Sequence, residues 1–267
     1  MDQPTTVNNL ENVVGKEKLK KIDVVLKKFI ASNKTDPDHL KAYMRIDDVD
    51  FAATDKTLAC MIMFRNKYDT RHTGIDYYQV HDKEFRKIEN QSAIDEIAAG
   101  YPDVPALYHN LDLTDYVSFE VDQKEVEDLI KVNDAMIDLC KIKSLNPVCQ
   151  LITSDNNVFF HLVGVADMDF TYRLWKDELS EKEIEFTYNP ELIANILKSI
   201  KELKKFTDKA TFYYKEGKSL VVRAVDVDYE YTFMLARKIS EEPKTPKKSP
   251  ELKLEEAEVS CAMTIKE

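Results

Sequence analysis

One order of apolar and polar patterns occurs twice in the second half of the chain. Residues 116–121 alternate as a strand does, and residues 123–141 carry apolar side chains at helical spacing. Strand-like runs follow, separated by the turn-forming sequences SDNN and DMD. The predicted elements are strand 116–121, helix 123–141, strands 147–154, 158–166 and 170–179, then strand 184–188, helix 190–206 and strands 210–215, 219–225 and 229–238. The pattern is β-α-β-β-β, repeated at about sixty residues.

The first half begins with the same elements and then departs from them. Its predicted elements are a helix at 16–30, strands at 40–47 and 49–64, and a strand at 75–80. After that strand, Asp82 is placed to cap a helix that runs through Phe85 and Ile88. Residues 89–110 contain no run that would supply three further strands, so this repeat is predicted to be shortened. One helix per four strands predicts an α+β fold in which paired helices pack on sheets.

The composition indicates a soluble intracellular protein. The chain has 267 residues, of which 43% are apolar, so it can bury a substantial core. No run approaches the roughly 18 to 20 apolar residues that a membrane-spanning helix needs. The polar N-terminus, MDQPTTVNNLEN, lacks the layout of a signal peptide. We therefore expect a cytoplasmic protein with no membrane segment, ending in a charged, proline-bearing and disordered tail at 240–267.

The chemistry-bearing residues form no catalytic or metal-binding pattern. The cysteines show no CxxC spacing and no nearby histidine partners, which favours buried thiols over a zinc site or disulfides. Asp226 and Asp228 form a pair of acids, but they lie on a predicted turn, where acids usually face solvent. The sequence has no glycine-rich phosphate loop and no nucleophile elbow. We expect a protein that is not an enzyme and that holds no metal or cofactor.

Charge is distributed unevenly along the chain. The formal net charge is −11, yet three of the four predicted helices are basic on their polar sides. Helix 16–30 carries six lysines against two acids, helix 190–206 carries four lysines against two acids, and the short helix after Asp82 adds three basic residues. A solvated helix surface would explain any one of these. Three together favour a surface that faces a polyanion, because phosphate affinity comes from Lys and Arg.

Three segments resemble the bacterial beta sliding clamps. FAATDKTLA (51–59) resembles the family's ATDGHRLA stretch, and GYPDVPAL (100–107) resembles its GRFPDYRRV. The run from FTYNPELIANILKSIKEL to the strand containing FMLARK resembles the clamp's last half-domain, which ends in MPMRL. The resemblance covers roughly residues 13–239 and matches the family's second and third domains. In this chain the glycine of the first segment is absent, and Leu235 stands where the family has its terminal proline.

The resemblance implies a subunit of a ring that encircles DNA and tethers a replicative polymerase to it. Clamp rings contain six similar domains, each of two β-α-β-β-β halves, and twelve helices line the hole. Here residues 1–12 would be a tail, 13–115 a first clamp domain with a truncated second half, and 116–239 a second clamp domain. Two domains per chain imply a homotrimer closed by head-to-tail pairing of edge strands. Such a protein would act in the cytoplasm of a bacterial or phage-infected cell, at the nucleoid.

The resemblance also implies two functional surfaces. The lysines expected to face double-stranded DNA, without reading its sequence, are Lys20, Lys27, Lys198 and Lys201. In clamps, partners such as the DNA polymerase and the clamp loader insert short peptides into an apolar pocket between the last two domains. Carried over by motif, that pocket is lined by Thr54, Thr57, Leu58, Pro102, Leu107, Met234, Leu235 and Ala236. Alternatively these residues pack the core, or the chain is a monomeric clamp-fold adaptor or decoy that binds peptides without encircling DNA.

Overall fold

The computed structural model of the protein describes residues 14–31, 36–47, 49–65, 74–81, 84–142, 148–154, 156–163, 170–176, 179 and 184–236. Its elements are α1 (Lys16–Leu26), a 3-10 turn (Asp38–Lys41), β1 (Ala42–Ile46), β2 (Asp50–Thr54), β3 (Leu58–Phe64), β4 (Ile75–His81), β5 (Glu84–Lys87), α2 (Gln91–Gly100), α3 (Val104–His109), β6 (Val117–Asp122), α4 (Gln123–Ile142), β7 (Cys149–Ser154), β8 (Asn157–Leu162), β9 (Thr171–Trp175), β10 (Ile184–Tyr188), α5 (Pro190–Glu202), β11 (Lys209–Tyr214), β12 (Leu220–Val225) and β13 (Tyr229–Leu235). The predicted tails at 1–12 and 240–267 lie outside the described residues. Within those residues, none of the helices combines the length and apolarity that crossing a bilayer requires.

Nine strands form one antiparallel sheet that joins the two halves of the chain. Their order is β5-β4-β1-β2-β3-β13-β12-β11-β6. The halves meet where β3 pairs with β13, in a register that runs from Phe64 opposite Tyr229 to Leu58 opposite Leu235. A second sheet contains four strands in the order β10-β7-β8-β9. The fold is therefore the α+β arrangement of sheets and helices that the sequence pattern predicted.

The two repeats of the second half exchange their first strands. The first repeat consists of β6, α4, β7, β8 and β9, and the second of β10, α5, β11, β12 and β13. β6 pairs with β11 of the second repeat, and β10 pairs with β7 of the first. Each four-stranded unit is thus built from one strand of one repeat and three strands of the other. Neither repeat can complete its sheet alone, so the two fold as one unit with an approximate two-fold symmetry.

The first half contains one such unit, followed by a short hairpin strand. β4 pairs with β1 just as β10 pairs with β7. The predicted helix through Phe85 and Ile88 is wrong, because Glu84–Lys87 form the strand β5, with Phe85 opposite Val80 of β4. The Phe85 ring also meets Tyr43 edge-on, with the ring centres 4.6 Å apart. A helix this short gains too few hydrogen bonds to repay its nucleation, so the hairpin and its aromatic contact decide the structure.

Two helices that the apolar spacing did not predict follow β5. α2 begins after Asn90 and α3 after Asp103, and each of these side chains accepts a hydrogen bond from a backbone N–H in the first turn. Both helices pack on the nine-stranded sheet, where Ile97 and Val104 are buried against alternate side chains of six strands. Between β4 and β6, the described residues form β5, α2 and α3 in place of the helix and three strands of a complete repeat.

α1, α4 and α5 pack on the side of the sheet opposite to α2 and α3. The division is visible along β13, where Phe233 and Leu235 belong to the core shared with α1, α4 and α5. Met234, which points the other way, belongs to the core beneath α2 and α3. We call the side that carries α1, α4 and α5 the inner face and the other side the outer face.

A buried ion pair fixes α1 to the second half of the chain. Lys18 of α1 contacts Asp226 at 3.2 Å and also contacts Asp228, both on the turn between β12 and β13. The Asp226 carboxylate also accepts a hydrogen bond from the Tyr231 hydroxyl at 2.8 Å. Arg65 donates to the Asp226 carbonyl oxygen at 2.7 Å. These contacts close one end of the pairing between β3 and β13.

We expect Lys18→Met to destabilise the protein. The change leaves the Asp226 carboxylate buried without its cation, and breaking comparable buried pairs costs about 3 kcal/mol. Urea unfolding followed by circular dichroism measures the loss. Lys20→Met, on the exposed side of the same helix, is the matched control and should change the free energy of unfolding by less than about 0.5 kcal/mol. Equal stability of the two variants would contradict the structural role of Lys18.

Candidate functional site

The inner-face helices form a layer in the order α1-α5-α4. Lys21 of α1 contacts Glu202 of α5 at 2.6 Å, and Lys198 of α5 contacts Asp134 of α4 at 3.0 Å. These side chains are one third to one half exposed, so each ion pair contributes at most about 1 kcal/mol. Their effect is mainly geometric, since they hold neighbouring helices in register and determine which lysines point into solvent.

Three lysines of α1 and its last turn point away from the sheet. The buried stripe of the helix is centred on Ile22, and Lys16, Lys20 and Lys27 lie about half a turn around the helix from it. All three are exposed. The Lys27 ammonium lies 5.2 Å from the centre of the Phe85 ring, on the β4–β5 hairpin. Two of the four lysines predicted to face DNA, Lys20 and Lys27, thus share one outward stripe, and Lys16 joins them.

The two predicted lysines of α5 differ in their surroundings. Lys201 is exposed, whereas Lys198 is half-exposed and bound to Asp134. They are three residues apart and therefore neighbours on the helix surface. Lys205, just after the helix, extends this row and contacts Glu17 of α1 at 2.5 Å. An anion that approaches Lys198 has to compete with the Asp134 carboxylate, so Lys201 is the more available of the two.

The charge of the layer changes from helix to helix. α4 carries five acids against three lysines, so it forms an acidic border beside the basic α5. Lys28 lies half-buried near the boundary of α1 and α5, where burial lowers the pKa of its ammonium. On the same boundary, the hydrogen bond from Lys21 lowers the pKa of the Glu202 carboxyl. Positive charge is therefore concentrated on α1 and α5, within a chain whose net charge is −11.

Lys18, one of the six lysines of the predicted helix 16–30, does not belong to this basic surface. It is 7% exposed and takes part in the ion pair with Asp226. Its spacing from Ile22, Val25 and Phe29 places it in the apolar stripe of the helix. That spacing was visible in the sequence and could have separated Lys18 from the exposed lysines.

The eight residues of the predicted partner pocket are divided between the two faces of the sheet. Leu58 and Leu235 lie opposite each other across the β3–β13 pairing, and both are fully buried in the inner-face core. Neither side chain reaches the surface. Thr54 is also buried, and its hydroxyl donates to the Leu58 carbonyl oxygen at 2.7 Å, which stabilises the β2–β3 turn. These three residues hold the junction of the two halves together.

The remaining five lie around α3 or at the end of the junction. Met234 is only 7% exposed because α2 and α3 cover it. Leu107 of α3 is 53% exposed, and Pro102 just before α3 is half-buried. Thr57 and Ala236 are exposed and joined by a hydrogen bond of 2.9 Å from the Ala236 N–H to the Thr57 carbonyl oxygen. The structure therefore leaves Leu107, Thr57 and Ala236 as the accessible members of the set.

Thr57 also borders a cleft on the side of the helix layer. The cleft has a volume of about 500 Å³, and its walls include Lys27, Lys28, Asp55 and Asn195. Basic and acidic side chains both line it. The cleft links the end of the β3–β13 junction to the basic surface of α1 and α5, so these two candidate surfaces are neighbours.

The outer face contains a polar cluster that the sequence did not reveal. The Tyr108 hydroxyl of α3 donates to the Glu230 carboxylate at 3.0 Å. Arg223 of β12 lies 5.7 Å from the centre of the Tyr108 ring and 3.5 Å from Glu230. This cluster binds α3, which belongs to the first half of the chain, to strands of the second half. It depends on a helix that the sequence pattern did not predict.

Comparison with solved structures identifies the fold. The chain is similar to the beta subunit of DNA polymerase from Streptococcus pyogenes, at a TM-score of 0.59 and 13% identity, covering 84% of this chain and 64% of that one. It is also similar to a DNA polymerase sliding clamp from Pseudomonas aeruginosa (TM-score 0.56, 12% identity, 84% and 65% covered). It is similar as well to a putative DNA polymerase III beta subunit from Eubacterium rectale, at a TM-score of 0.56 and 13% identity, covering 84% of this chain and 64% of that one.

The chain therefore has the fold of bacterial sliding clamps over most of its length and spans about 64% of the length of those proteins. No protein-family model matches the sequence, and no curated protein matches it either. The resemblance found in the three sequence segments is thus supported by the fold, at 12 to 13% sequence identity.

Val104→Ala should loosen α3 from the outer face. Val104 is fully buried, and removing two methyl groups from such a site should destabilise the protein by about 2 kcal/mol. Leu107→Ala in the same helix removes a side chain that is 53% exposed, so it is the matched control and should change stability by less than about 0.5 kcal/mol. Chemical unfolding measures both. A larger loss for the Leu107 variant would contradict the orientation of α3.

Proposed function

We propose that this protein is a DNA sliding clamp: a ring subunit, without enzymatic activity, that encircles duplex DNA and tethers a polymerase to it. The observation that carries the proposal is the layer of α1, α5 and α4 on the inner face of a sheet with the clamp fold. In such a ring, the inner face lines the hole. Basic helices over a continuous sheet give the wall that duplex DNA requires, while the acidic remainder of the chain disfavours binding elsewhere.

The arrangement of the lysines suits sliding more than tight binding. Lys20 and Lys201 are exposed point charges that can contact phosphates and do not read bases, and Lys27 is exposed beside the Phe85 ring. When Lys198 contacts a phosphate it gives up its ion pair with Asp134, so the net gain in binding free energy is small. The binding free energy of such contacts is nearly the same at every position along the duplex. They also release few counterions, so direct affinity for linear DNA should be weak and should fall with added salt.

Reversing the charge of Lys20, Lys27, Lys198 and Lys201 to Glu should abolish DNA association. Anisotropy of a short fluorescent duplex at low ionic strength measures the loss, and primer extension with the cognate polymerase measures processivity. The matched control reverses Lys41, Lys209, Lys215 and Lys218, which lie on strands and turns outside the helix layer. Both variants change the net charge equally, so the control should keep most of the binding. Equal losses would show that only net charge matters and would reject the inner face as the DNA surface.

We further propose that partner peptides bind beside α3, on the outer face of the sheet. Leu107 of α3 supplies an exposed apolar anchor for such a peptide. An exposed apolar anchor on a short helix that packs on a sheet suits the capture of a short peptide. Met234 lies beneath α2 and α3, and Leu58 lies in the inner-face core, so neither contacts the peptide in this arrangement.

Leu107→Ala should weaken binding of a polymerase-derived clamp-binding peptide by about 1 to 3 kcal/mol, as loss of an apolar anchor does. Val227→Ala removes an exposed apolar side chain from the β12–β13 turn, where Asp226 and Asp228 contact α1 of the inner face, and should leave the affinity unchanged. Titration calorimetry with each variant measures the difference. If the Leu107 variant binds as the unaltered protein does, the peptide site lies elsewhere on the chain.

The rival function is a monomeric adaptor that has the clamp fold and binds peptides without encircling DNA. The shortened second repeat of the first half favours it, because a missing half-domain removes part of the surface that ring closure needs. Counting two domains per chain predicts a ring of three copies. Light scattering that finds a monomer at all concentrations, together with intact peptide binding, would decide for the adaptor.

A further inference from the structure

The number of helices per chain sets the number of copies in a ring. In a complete clamp domain each β-α-β-β-β half contributes one inner-face helix. The described residues of this chain contribute three, which are α1, α4 and α5. The stretch where a fourth would stand, from β4 to β6, is described except for residues 82–83 and forms β5, α2 and α3. α2 and α3 lie on the outer face, so the described residues amount to one whole domain and half of another.

The junction inside the chain shows how successive half-domains join. β13 is the last strand of its repeat and pairs with β3, the last strand of the unit β4-β1-β2-β3. By the approximate symmetry of the second half, β9 is the equivalent of β13. It is the end strand of the sheet β10-β7-β8-β9 in the described part of the chain. The strand that would normally meet it from the next copy belongs to the half-domain that this chain lacks.

We infer that the ring closes by pairing β9 of one copy with β5 of the next, and that it contains four copies. The inference rests on the proposed clamp function. β5 ends the nine-stranded sheet on the side where the missing half-domain would stand. Six domains in a ring take about 60° each, so one and a half domains take about 90°, and four copies close the circle. Four copies also supply the twelve helices that line a clamp, so each chain's basic surface is one quarter of the wall.

The backbone of β9 is arranged for this pairing. Leu162 donates to the Phe170 carbonyl oxygen at 3.0 Å, and Lys176 donates to the Asn156 carbonyl oxygen at 2.8 Å. Because hydrogen-bonded pairs alternate in an antiparallel ladder, the backbone N–H and C=O groups of Tyr172 and Leu174 also point toward β8. The N–H of Arg173 therefore points away from β8, toward the position of a further strand.

Arg173→Pro tests the pairing. Proline removes that N–H without breaking the ladder to β8, and its φ is tolerated in an edge strand. We expect the unaltered protein to have a mass of about 124 kDa by light scattering, four times 30.9 kDa, and the proline variant to fall to about 31 kDa. Arg173→Ala is the matched control, because it loses the same side chain but keeps the N–H, and it should stay at the larger mass. Unchanged circular dichroism shows that each variant is folded.

A second measurement does not depend on how the proline variant folds. Pairs of cysteines, Arg173→Cys with Glu84→Cys or with Arg86→Cys, should be joined between copies by a short bismaleimide, giving a ladder of bands that ends at four chains. No crosslink at either pair would overturn the pairing of β9 with β5.

The outcomes separate this inference from the proposed function. A mass of about 93 kDa with salt-sensitive DNA binding would keep the clamp and overturn the four-copy closure. A mass of about 124 kDa without DNA binding would keep the closure and reject the clamp. A monomer at all concentrations would overturn the closure and leave only the adaptor function.

Discussion

The pairing of β3 with β13 is the interaction on which the rest of the molecule depends. It joins seven residue pairs from distant parts of the chain and turns two partial sheets into one of nine strands. Strands so far apart in the sequence form no stabilising contact until the long loop between them has closed. Their pairing therefore depends on side chains that pack on both faces of the sheet. Phe29 of the inner side stacks on Phe233 at 5.3 Å, and α3 covers the outer side through Val104 and Tyr108. The Lys18 ion pair secures the end nearest Tyr229.

This support explains why the first half keeps its shape without a second complete repeat. In the second half, each repeat completes the other's sheet by lending its first strand. The first half keeps one side of that exchange, since β4 pairs with β1, and without α2 and α3 its outer face would expose Met44, Met61 and Tyr77. α2 and α3 bury this apolar surface, with Tyr101 donating a hydrogen bond to the Ala42 carbonyl oxygen at 3.1 Å. Two short helices on the outer face thus replace the packing of a half-domain, but they provide neither a basic inner-face helix nor a strand for pairing.

The sequence predicted the elements whose signal is local and periodic. Both repeats of the second half, α1 and the strands β1 and β4 follow from apolar spacing and turn residues, whereas the predicted run 49–64 is divided by a turn into β2 and β3. The predicted DNA-facing lysines Lys20 and Lys27 lie on the exposed side of α1. Prediction was wrong where tertiary contacts decide. The residues around Phe85 form a strand because Phe85 pairs with Val80 of β4 and its ring packs against Tyr43. The predicted pocket mixed residues from both faces, since a motif match does not say to which side a strand residue points, and a shift of one position reverses it.

The distribution of charge shows how an acidic chain can present a basic surface. The lysines of α1 lie in three different environments. Lys18 is buried in an ion pair, Lys21 contacts an acid of the neighbouring helix, and Lys20 points outward. Lysines that face inward or sideways are neutralised by acids and hold the layer together, so they add little to the outward field. The basic surface of α1 and α5 is sparse, and the acids of α4 border it beside α5. In the proposed clamp, such a surface would attract a polyanion without holding it at one place, which is the balance that the proposed movement along DNA requires.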